Sequence, residues 1–583
     1  MGMIEGNLTL DKLQAQFPGA VLDAVDCKGD VTITVAVDRL LDICRFLRDD
    51  PDLRYDLLSF VTAVDRLHLG IQPRFATIYN LYSLTHRRRI MLKVPLEGDP
   101  PHCPSVTSIW PGADWHERET YDLMGIIFDG HPSLCRIMLP DDWKGHPLRK
   151  DYPLGGEPVA FSENADDPAL AGLGTQVMDA PSTPPLLPPG WVDDPGMLVV
   201  NFGPQHPATH GVMRFVLQLD GEKIVRCWPD PGHLHSGIEK TVEYKTYMQA
   251  IPYTDRMDYV SAMNNNLGLI LAIEKLLDIE PPPRAQVLRV ILCELQRLAA
   301  HCIWIGTSCL DLSGTIHALL LYAFQQREYI LNIFEMVAGA RLTPTYFCVG
   351  GVRWDVPEGF VPAVRSFLEG FVKALDEWET MLTNNPIWLS RTKGIGYLPL
   401  DKAIAMGVTG PCLRGSGLAY DVRKYAPYAA YDQFEFDIPT QKEGDCYARY
   451  LVRVAEMRQS VRIIQQALAK LPAGPVRADE RKVVLPPRAE LETSMEALIH
   501  HFKLVTEGFN VPAGEVYAAV EAPKGELGFY LVSDGGPKPY RLKIRGPSFS
   551  NIAASPIMAE GAWLADMVAI IGSVDITMGE VDR

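Results

Sequence analysis

Apolar residues recur at three- and four-residue steps through long central stretches of the chain, and in short runs towards both of its ends. Asp255–Leu277, Arg284–Leu310 and Ile316–Ala340 carry the helical spacing. The second of these follows Pro281–Pro283, a helix-start signal, and its stripe runs Leu288, Ile291, Leu295, Leu298, Cys302 and Ile305. The same spacing predicts helix over 358–384 and 443–470. Leu198–Phe202 and Val212–Leu219 read as strands around the loop GPQHPATHG, and Val516–Ala519 and Gly528–Ser533 as strands further on. The first 150 or so residues mix the two periods. Leu40, Ile43 and Leu47 share a helical face, while Arg74–Ser83 and Arg89–Val94 look like paired strands. His116–Met124 reads as an amphipathic turn or short helix, with Glu117, Arg118 and Glu119 turned to water or to a partner.

One segment breaks the pattern. Gly155–Gly196 is one-third Pro plus Gly, with seven acidic residues and no Lys or Arg, the composition of a linker that buries no core of its own. The expected organisation is an α+β domain over 1–154, a Pro/Gly-rich acidic linker over 155–196, and a large helical bundle with β-structure at both ends over 197–583.

Composition narrows the function. The chain has 583 residues, 47% of them apolar and 22% charged, as in ordinary globular proteins. With 55 basic against 72 acidic side chains, a net −17, it is a poor bulk binder of nucleic acid. Its longest wholly apolar runs, such as Leu267–Ile273 and Ala318–Phe324, fall far short of a membrane span, and Met1–Ala20 has no secretory pattern. The eleven cysteines are scattered without a C-x-x-C, which argues for a reducing compartment and against an iron–sulfur or zinc site held by this chain alone.

A few residues carry candidate chemistry. His206 and His210 are four apart, but Pro207 biases His206 to an extended backbone, so the helical metal-pair geometry fails. A hairpin that presents His210 at its tip fits the flanking glycines and prolines; a histidine bonded only to loop backbone is the plain alternative. Tyr253–Tyr259 (YTDRMDY) is expected to open a helix, its charges serving the helix dipole and Tyr259 its core. Asp311 ends a very apolar helix, where a carboxylate opposes the dipole, so it either meets water or needs a partner such as a histidine. His233-Leu-His235, with Glu239 and Glu243 after it, reads as structural.

Taken together the motifs resemble one family. FGPQHPATHGVMRF, LHSGIEKTVEYKTY, TDRMDYVSAM, RTKGIGYLPLDKAIAMGVTGP, YLVSDGGPKPYRLKIRGPSFSN and MVAIIGSVDITMGEVDR are similar to the D-type component of bacterial NADH–quinone oxidoreductase, respiratory complex I. Glu117–Leu154 resembles the C-type component, so the chain looks like the fused C/D type. The resemblance implies a fold related to nickel–iron hydrogenase large subunits. Where those have metal-binding cysteine pairs, this chain reads Arg256-Met-Asp-Tyr-Val and Asp575-Ile-Thr-Met-Gly-Glu-Val-Asp-Arg583, without thiolates, so a hydrogenase is the weaker rival. A second rival is a structural component with no catalytic residues of its own.

The resemblance further implies that His210 and Tyr259 hold the two carbonyls of a quinone, with Asp311 paired to His210. Quinone reduction adds two electrons and two protons, and imidazolium and phenol are both proton donors to a developing oxyanion. A carboxylate beside the histidine favours its charged form. His206, Arg256, Ser236 and Thr343 are expected in the quinone pocket or near a partner's cluster. The quinone is a substrate. The electrons are expected from a 4Fe–4S cluster in a partner, with NADH and FMN on other subunits; no G-x-G-x-x-G opens a helix here. The implied partners are the B-type cluster subunit, the I-type ferredoxin-like subunit, the G-type subunit and the H-type and A-type membrane subunits. The implied place is the cytoplasmic side of the inner membrane, as a peripheral subunit.

Two departures from the resembled pattern generate a prediction. In many relatives the position of Ser236 is arginine and that of Thr343 is histidine, both beside the terminal cluster. One charge ~5 Å from a cluster at an effective dielectric of ~20 is worth roughly 3 kcal/mol. That is on the order of 100 mV for one electron. Positive charge favours the reduced cluster, so a low and nearly pH-independent terminal-cluster potential is expected, suited to a low-potential quinone such as menaquinone. EPR redox titration at two pH values checks this; a high potential falling by about 60 mV per pH unit would contradict it.

Overall fold

The computed structural model describes residues 6–154, 187–191, 194, 196–312 and 318–583. The expected linker over 155–196 therefore lies almost wholly outside the described residues.

Near the N-terminus a five-stranded sheet has the order Val21–Cys27, Asp30–Val35, Arg88–Leu96, Phe75–Ser83, Leu57–Asp65. All its pairings are antiparallel except that of Asp30–Val35 with Arg88–Leu96. The expected hairpin of 74–83 with 89–94 is present in register, Phe75 opposite Leu96 and Ser83 opposite Arg88. Leu57–Asp65 carries no clean alternation in sequence, and the reason is its setting: it and Phe75–Ser83 are buried at every position. The helix Ala113–Met124 packs against Leu57–Asp65. Elsewhere on the sheet Phe60, Val64, Ile78 and Met91 meet Tyr517, Tyr530, Val532 and Tyr540 from the far end of the chain. Strands covered on both faces lose the in–out alternation that marks a half-exposed sheet.

The helix Ala113–Met124 decides between the two settings left open for its charges. Its Glu117, Arg118 and Glu119 are all buried rather than turned to water. Glu117 accepts from Ser105 Oγ at 2.7 Å and the Val106 amide at 2.8 Å, and burial pushes its carboxyl up to about 7. Arg118 donates to the carbonyls of Cys135 and Arg136 and lies over the ring of Trp228. Glu119 accepts from Lys543 and Arg583, each at 2.6 Å. The partners of this charged face are thus within the same chain, local for Glu117 and in the C-terminal part for Glu119.

The rest of the fold is a helical bundle flanked by small antiparallel sheets. Leu198–Phe202, Arg214–Asp220 and Lys223–Asp230 form one sheet, and Gly514–Ala522, Gly525–Ser533 and Arg541–Arg545 another. The helices Ala262–Leu277, Pro283–Leu312, Ala318–Ala338, Phe360–Leu382 and Cys446–Ala469 follow the predicted spacing closely. One boundary differs. Tyr253–Tyr259 opens no helix; it spans the end of the helix Tyr247–Thr254 and the turn before Ala262. Asp255 and Asp258 are buried there, bonded to side chains distant in sequence rather than to a helix dipole.

The N-terminal sheet and the bundle are joined by ion pairs as well as by apolar contact. Arg89 meets Glu526 at 2.9 Å, Asp30 meets Lys275 at 2.7 Å, and Lys150 meets Glu243 at 2.8 Å. None of these bonds uses residues 155–196, which generates a prediction. Coexpressing residues 1–160 and 190–583 as two chains is expected to yield one assembled complex on affinity purification. Recovery of each as a soluble but separate protein would show that the covalent tether is required.

Candidate functional site

His210 sits at the tip of the loop between Leu198–Phe202 and Arg214–Asp220. The loop is held by its own bonds. His206 is extended, as Pro207 dictates, and its Nδ1 accepts from the Ala208 amide at 3.2 Å, capping the short turn Pro207–Thr209. Its ring packs on Phe202 at 4.1 Å between centroids. The buried Thr209 hydroxyl lies 2.6 Å from His206 O and 2.7 Å from Gly211 O, two acceptors for its one proton within the loop. His210 follows in a left-handed conformation (φ 52°) and Gly211 at φ 151°. A Cβ on Gly211 would lie 2.5 Å from Met578 Cγ, so only glycine lets the loop pass this close to the helix Met578–Asp582.

The loop delivers His210 Nε2 to 2.5 Å from Asp311 Oδ2, across 101 residues of sequence. Both side chains keep about one-tenth of their surface open, 12% and 11%. Asp311 lies in the last turn of the helix Pro283–Leu312, so its partner is the histidine rather than bulk water. The backbone of Gly572 runs beside the pair: a Cβ there would lie 3.9 Å from His210 Nε2 and 3.8 Å from Ser308 Oγ.

Tyr259 stands on the turn before Ala262 with 41% of its surface exposed. Its inner side still holds the phenol above its ordinary range, through burial first and then the carboxylates of Asp258 and Asp575, with Lys524 opposing. The neighbouring Asp258 is fully buried and accepts from Lys524 Nζ at 2.9 Å and Thr577 Oγ1 at 3.0 Å. Burial works against the Lys524 charge, but Asp258, Asp575 and Glu580 outweigh it and hold the ammonium above its usual range. Glu580 accepts from the Ser548 hydroxyl, and burial together with Asp258 pushes its carboxyl up to about 7. Sequence reasoning missed this cluster. Lys524 lies in a Pro-Lys-Gly turn between two strands, where a lysine ordinarily reaches solvent, and nothing local marks its burial.

The other expected residues fall differently. Arg256 is exposed and donates to the Pro252 carbonyl at 2.8 Å. Ser236 is exposed, and Thr343 is in a left-handed turn (φ 50°). Arg341, near Thr343 in sequence, is engaged with Glu328 and with Asn332 Oδ1 at 2.7 Å. His235 Nδ1 lies 2.6 Å from Asp582 O, while the Asp582 carboxylate accepts from the Gly232 and Leu234 amides, which makes this segment structural as read. All eleven cysteines are free, and among the described residues no group of three or more His, Cys, Asp or Glu is placed to hold a metal ion.

The chain can then be set beside known proteins. A family model described as the 49 kDa subunit of respiratory-chain NADH dehydrogenase matches residues 314–583, and one described as the 30 kDa subunit matches 33–158. The C/D-type NADH–quinone oxidoreductase subunit of Gluconacetobacter diazotrophicus is 42% identical over 582 residues, 97% of this chain and 94% of that one. That of Nitrosospira multiformis is 41% identical over 581 residues, 97% and 93% of the two chains. A D-type NADH–quinone oxidoreductase subunit of Chloroflexus aurantiacus is 52% identical over 412 residues, 70% of this chain and all of its own.

Proposed function

This chain belongs to the C/D-type family of NADH–quinone oxidoreductase subunits, components of an oxidoreductase complex, and on that premise we propose that His210, Asp311 and Tyr259 form the site where a quinone headgroup is reduced. The observation that carries the reading is the His210–Asp311 contact at 2.5 Å, which joins two distant segments at a position still open to a ligand.

The chemistry follows from the side chains. A quinone gaining electrons develops negative charge on two oxygens, and each needs a donor in a water-poor site. His210 offers an N–H to one. Asp311 orients its ring through the contact with Nε2. Tyr259 offers its phenol to the other oxygen, and a phenol kept protonated by burial and by Asp258 and Asp575 is a donor rather than a phenolate. A 4Fe–4S cluster in a partner subunit supplies the electrons. Tyr259 is itself partly exposed on its turn, which leaves the phenol reachable by a headgroup.

The resemblance aligns 256–260 and 575–583 with the metal-binding segments of hydrogenase large subunits. Here these segments pack together, Thr577 against Asp258 and the Gly579 backbone against that of Met257, with the Lys524 ammonium among the carboxylates. A buried cation of this chain's own thus lies against the segments that the resemblance aligns with thiolate ligands, which supports a pocket that holds no such metal. No helix among the described residues is long and apolar enough to cross a membrane. The proposed setting is a peripheral position on the cytoplasmic side of the inner membrane, against the B-, I-, G-, H- and A-type subunits.

The test is mutational. In membranes carrying the assembled complex, Tyr259→Phe removes one hydroxyl and little volume. It is expected to lose quinone-dependent turnover on the order of 10²-fold, while reduction of an artificial acceptor upstream survives. Asp311→Asn, which keeps a hydrogen-bonding shape, is expected to be milder. Wild-type quinone turnover by Tyr259→Phe would refute the proton-donor role.

A further inference from the structure

The helix Met495–Thr506 carries its apolar stripe on the outside. Met495, Leu498, Ile499, Phe502 and Val505 follow one another at three- and four-residue steps and so share one face. A surface helix ordinarily buries such a face against its core. Here Met495 is 74% exposed and Phe502 65%, and the other three keep about half of their surface open. The side that meets the fold, against the short turn Arg488–Glu492, has only Ala497 and Leu504 buried. The helix is otherwise well made: Ser494 caps its start by accepting from the Ala497 amide at 3.3 Å. The stripe exposes apolar surface on the order of 500 Å², at the upper end of what a soluble chain leaves open and more than half of the roughly 800 Å² that one partner contributes to a standard interface.

Beside the helix opens a cleft of about 610 Å³, to which Ala497 and His500 contribute. Trp354 stands in it, half exposed, with its indole N–H given to the Val337 carbonyl at 2.6 Å. Four arginines line it: Arg353, Arg477, Arg481 and Arg488. In a chain with an excess of 17 acidic charges, these four are hardly engaged by its carboxylates. Arg477 donates to the carbonyls of Val352 at 3.3 Å and Leu485 at 3.1 Å, and Arg481 meets Glu496 only at 3.9 Å. Arg353 and Arg488 form no side-chain hydrogen bond or ion pair among the described residues. Asp479, Glu480 and Glu490 share the rim, yet the guanidinium groups still have N–H bonds to give, and a carboxylate accepts them in pairs.

We propose that Met495–Thr506 and the cleft beside it are a docking face for another subunit of the complex, which lays an amphipathic helix along the stripe and places an aspartate or glutamate among the arginines. The stripe calls for apolar side chains at helical spacing, and the cleft for a carboxylate. A lipid surface fits less well. Helices that lie on membranes present a basic polar face to anionic headgroups, whereas this one bears a single lysine, Lys503, against Glu496, with Glu492 and Glu507 flanking it in sequence. A few large anchors carry most of the energy of an interface; here they are Phe502 in the stripe and Trp354 with the arginines in the cleft. The arginines select which acidic segment is accepted. The proposal rests on the chain being one subunit of an assembly and not on the quinone-site reading, since none of these residues belongs to that site.

The experiment uses the whole complex in native membranes. Phe502 is replaced by photoreactive p-benzoylphenylalanine, which keeps an aromatic side chain in place. Illumination is expected to join this chain to one other subunit. Mass spectrometry of the adduct is expected to show a segment with apolar residues at three- and four-residue steps and an acidic residue beside them. Adducts on lipid alone, on a second copy of this chain or on a segment without that pattern overturn the proposal, as does the absence of any adduct. Two exposed positions then test the energetics. Phe502→Asp and Arg488→Glu leave the core untouched, and each is expected to lower the fraction of chain in the assembled complex on the order of tenfold on native gels. Lysine in place of the acidic residue of the crosslinked segment should restore assembly to Arg488→Glu. Wild-type assembly of Phe502→Asp overturns the proposal; if that chain does not accumulate, the crosslink decides. Complexes that do assemble are expected to keep their quinone turnover per complex. Loss of turnover in Tyr259→Phe with normal assembly is the separate test of the quinone site, so either reading can fail while the other stands.

Discussion

The arrangement depends first on a buried charge cluster that locks the last residues of the chain in place. Glu119 and Glu239 face Lys543, Arg541 and Arg583, all buried. Burial works against the charge on Glu239, yet the three cations hold its carboxyl well below the ordinary range. Ion pairs removed from water add little net stability compared with apolar packing, but breaking one leaves an unpaired charge at a cost of several kcal/mol, so they permit one arrangement and penalise its neighbours. This cluster draws on the N-terminal helix Ala113–Met124, the strand Arg541–Arg545 and Arg583, and so fixes the short helix Met578–Asp582 that precedes Arg583.

That short helix supports the site from beneath. Met578 meets the glycine after His210, Gly579 meets the backbone of Met257, and Glu580 faces Asp258 and Lys524. The His210 loop and the Tyr259 turn are therefore placed by a common support, although they bond to different partners. The two have different environments: His210 is directed by one carboxylate, while Tyr259 sits over a network in which an ammonium is balanced by several acids.

The helix Pro283–Leu312 gives the bundle its direction. Its apolar stripe, from Leu288 to Ile305, belongs to the main core, while its polar face meets the helix Cys446–Ala469 and ends at Asp311. A helix buried on all sides loses the polar outer face by which such elements are usually recognised. Its charged residues then mark an internal seam instead of a surface.

Much of this was legible in the sequence. The five long helices, the hairpin of 74–83 with 89–94 and the extended backbone of His206 follow from periodicity and from proline, which act over a few residues and need no distant partner. The resemblance supplied the pairing of His210 with Asp311, which local chemistry had left open between water and a partner. The sequence left the charges of 117–119 open between water and a partner, misplaced the turn 253–259, and missed the Lys524 cluster and the strand 57–65. Each of these is settled by what covers it from elsewhere in the chain. A local pattern records how a segment would sort itself against water; only the tertiary structure decides whether water is there, and where it is not, charges are held by partners hundreds of residues away.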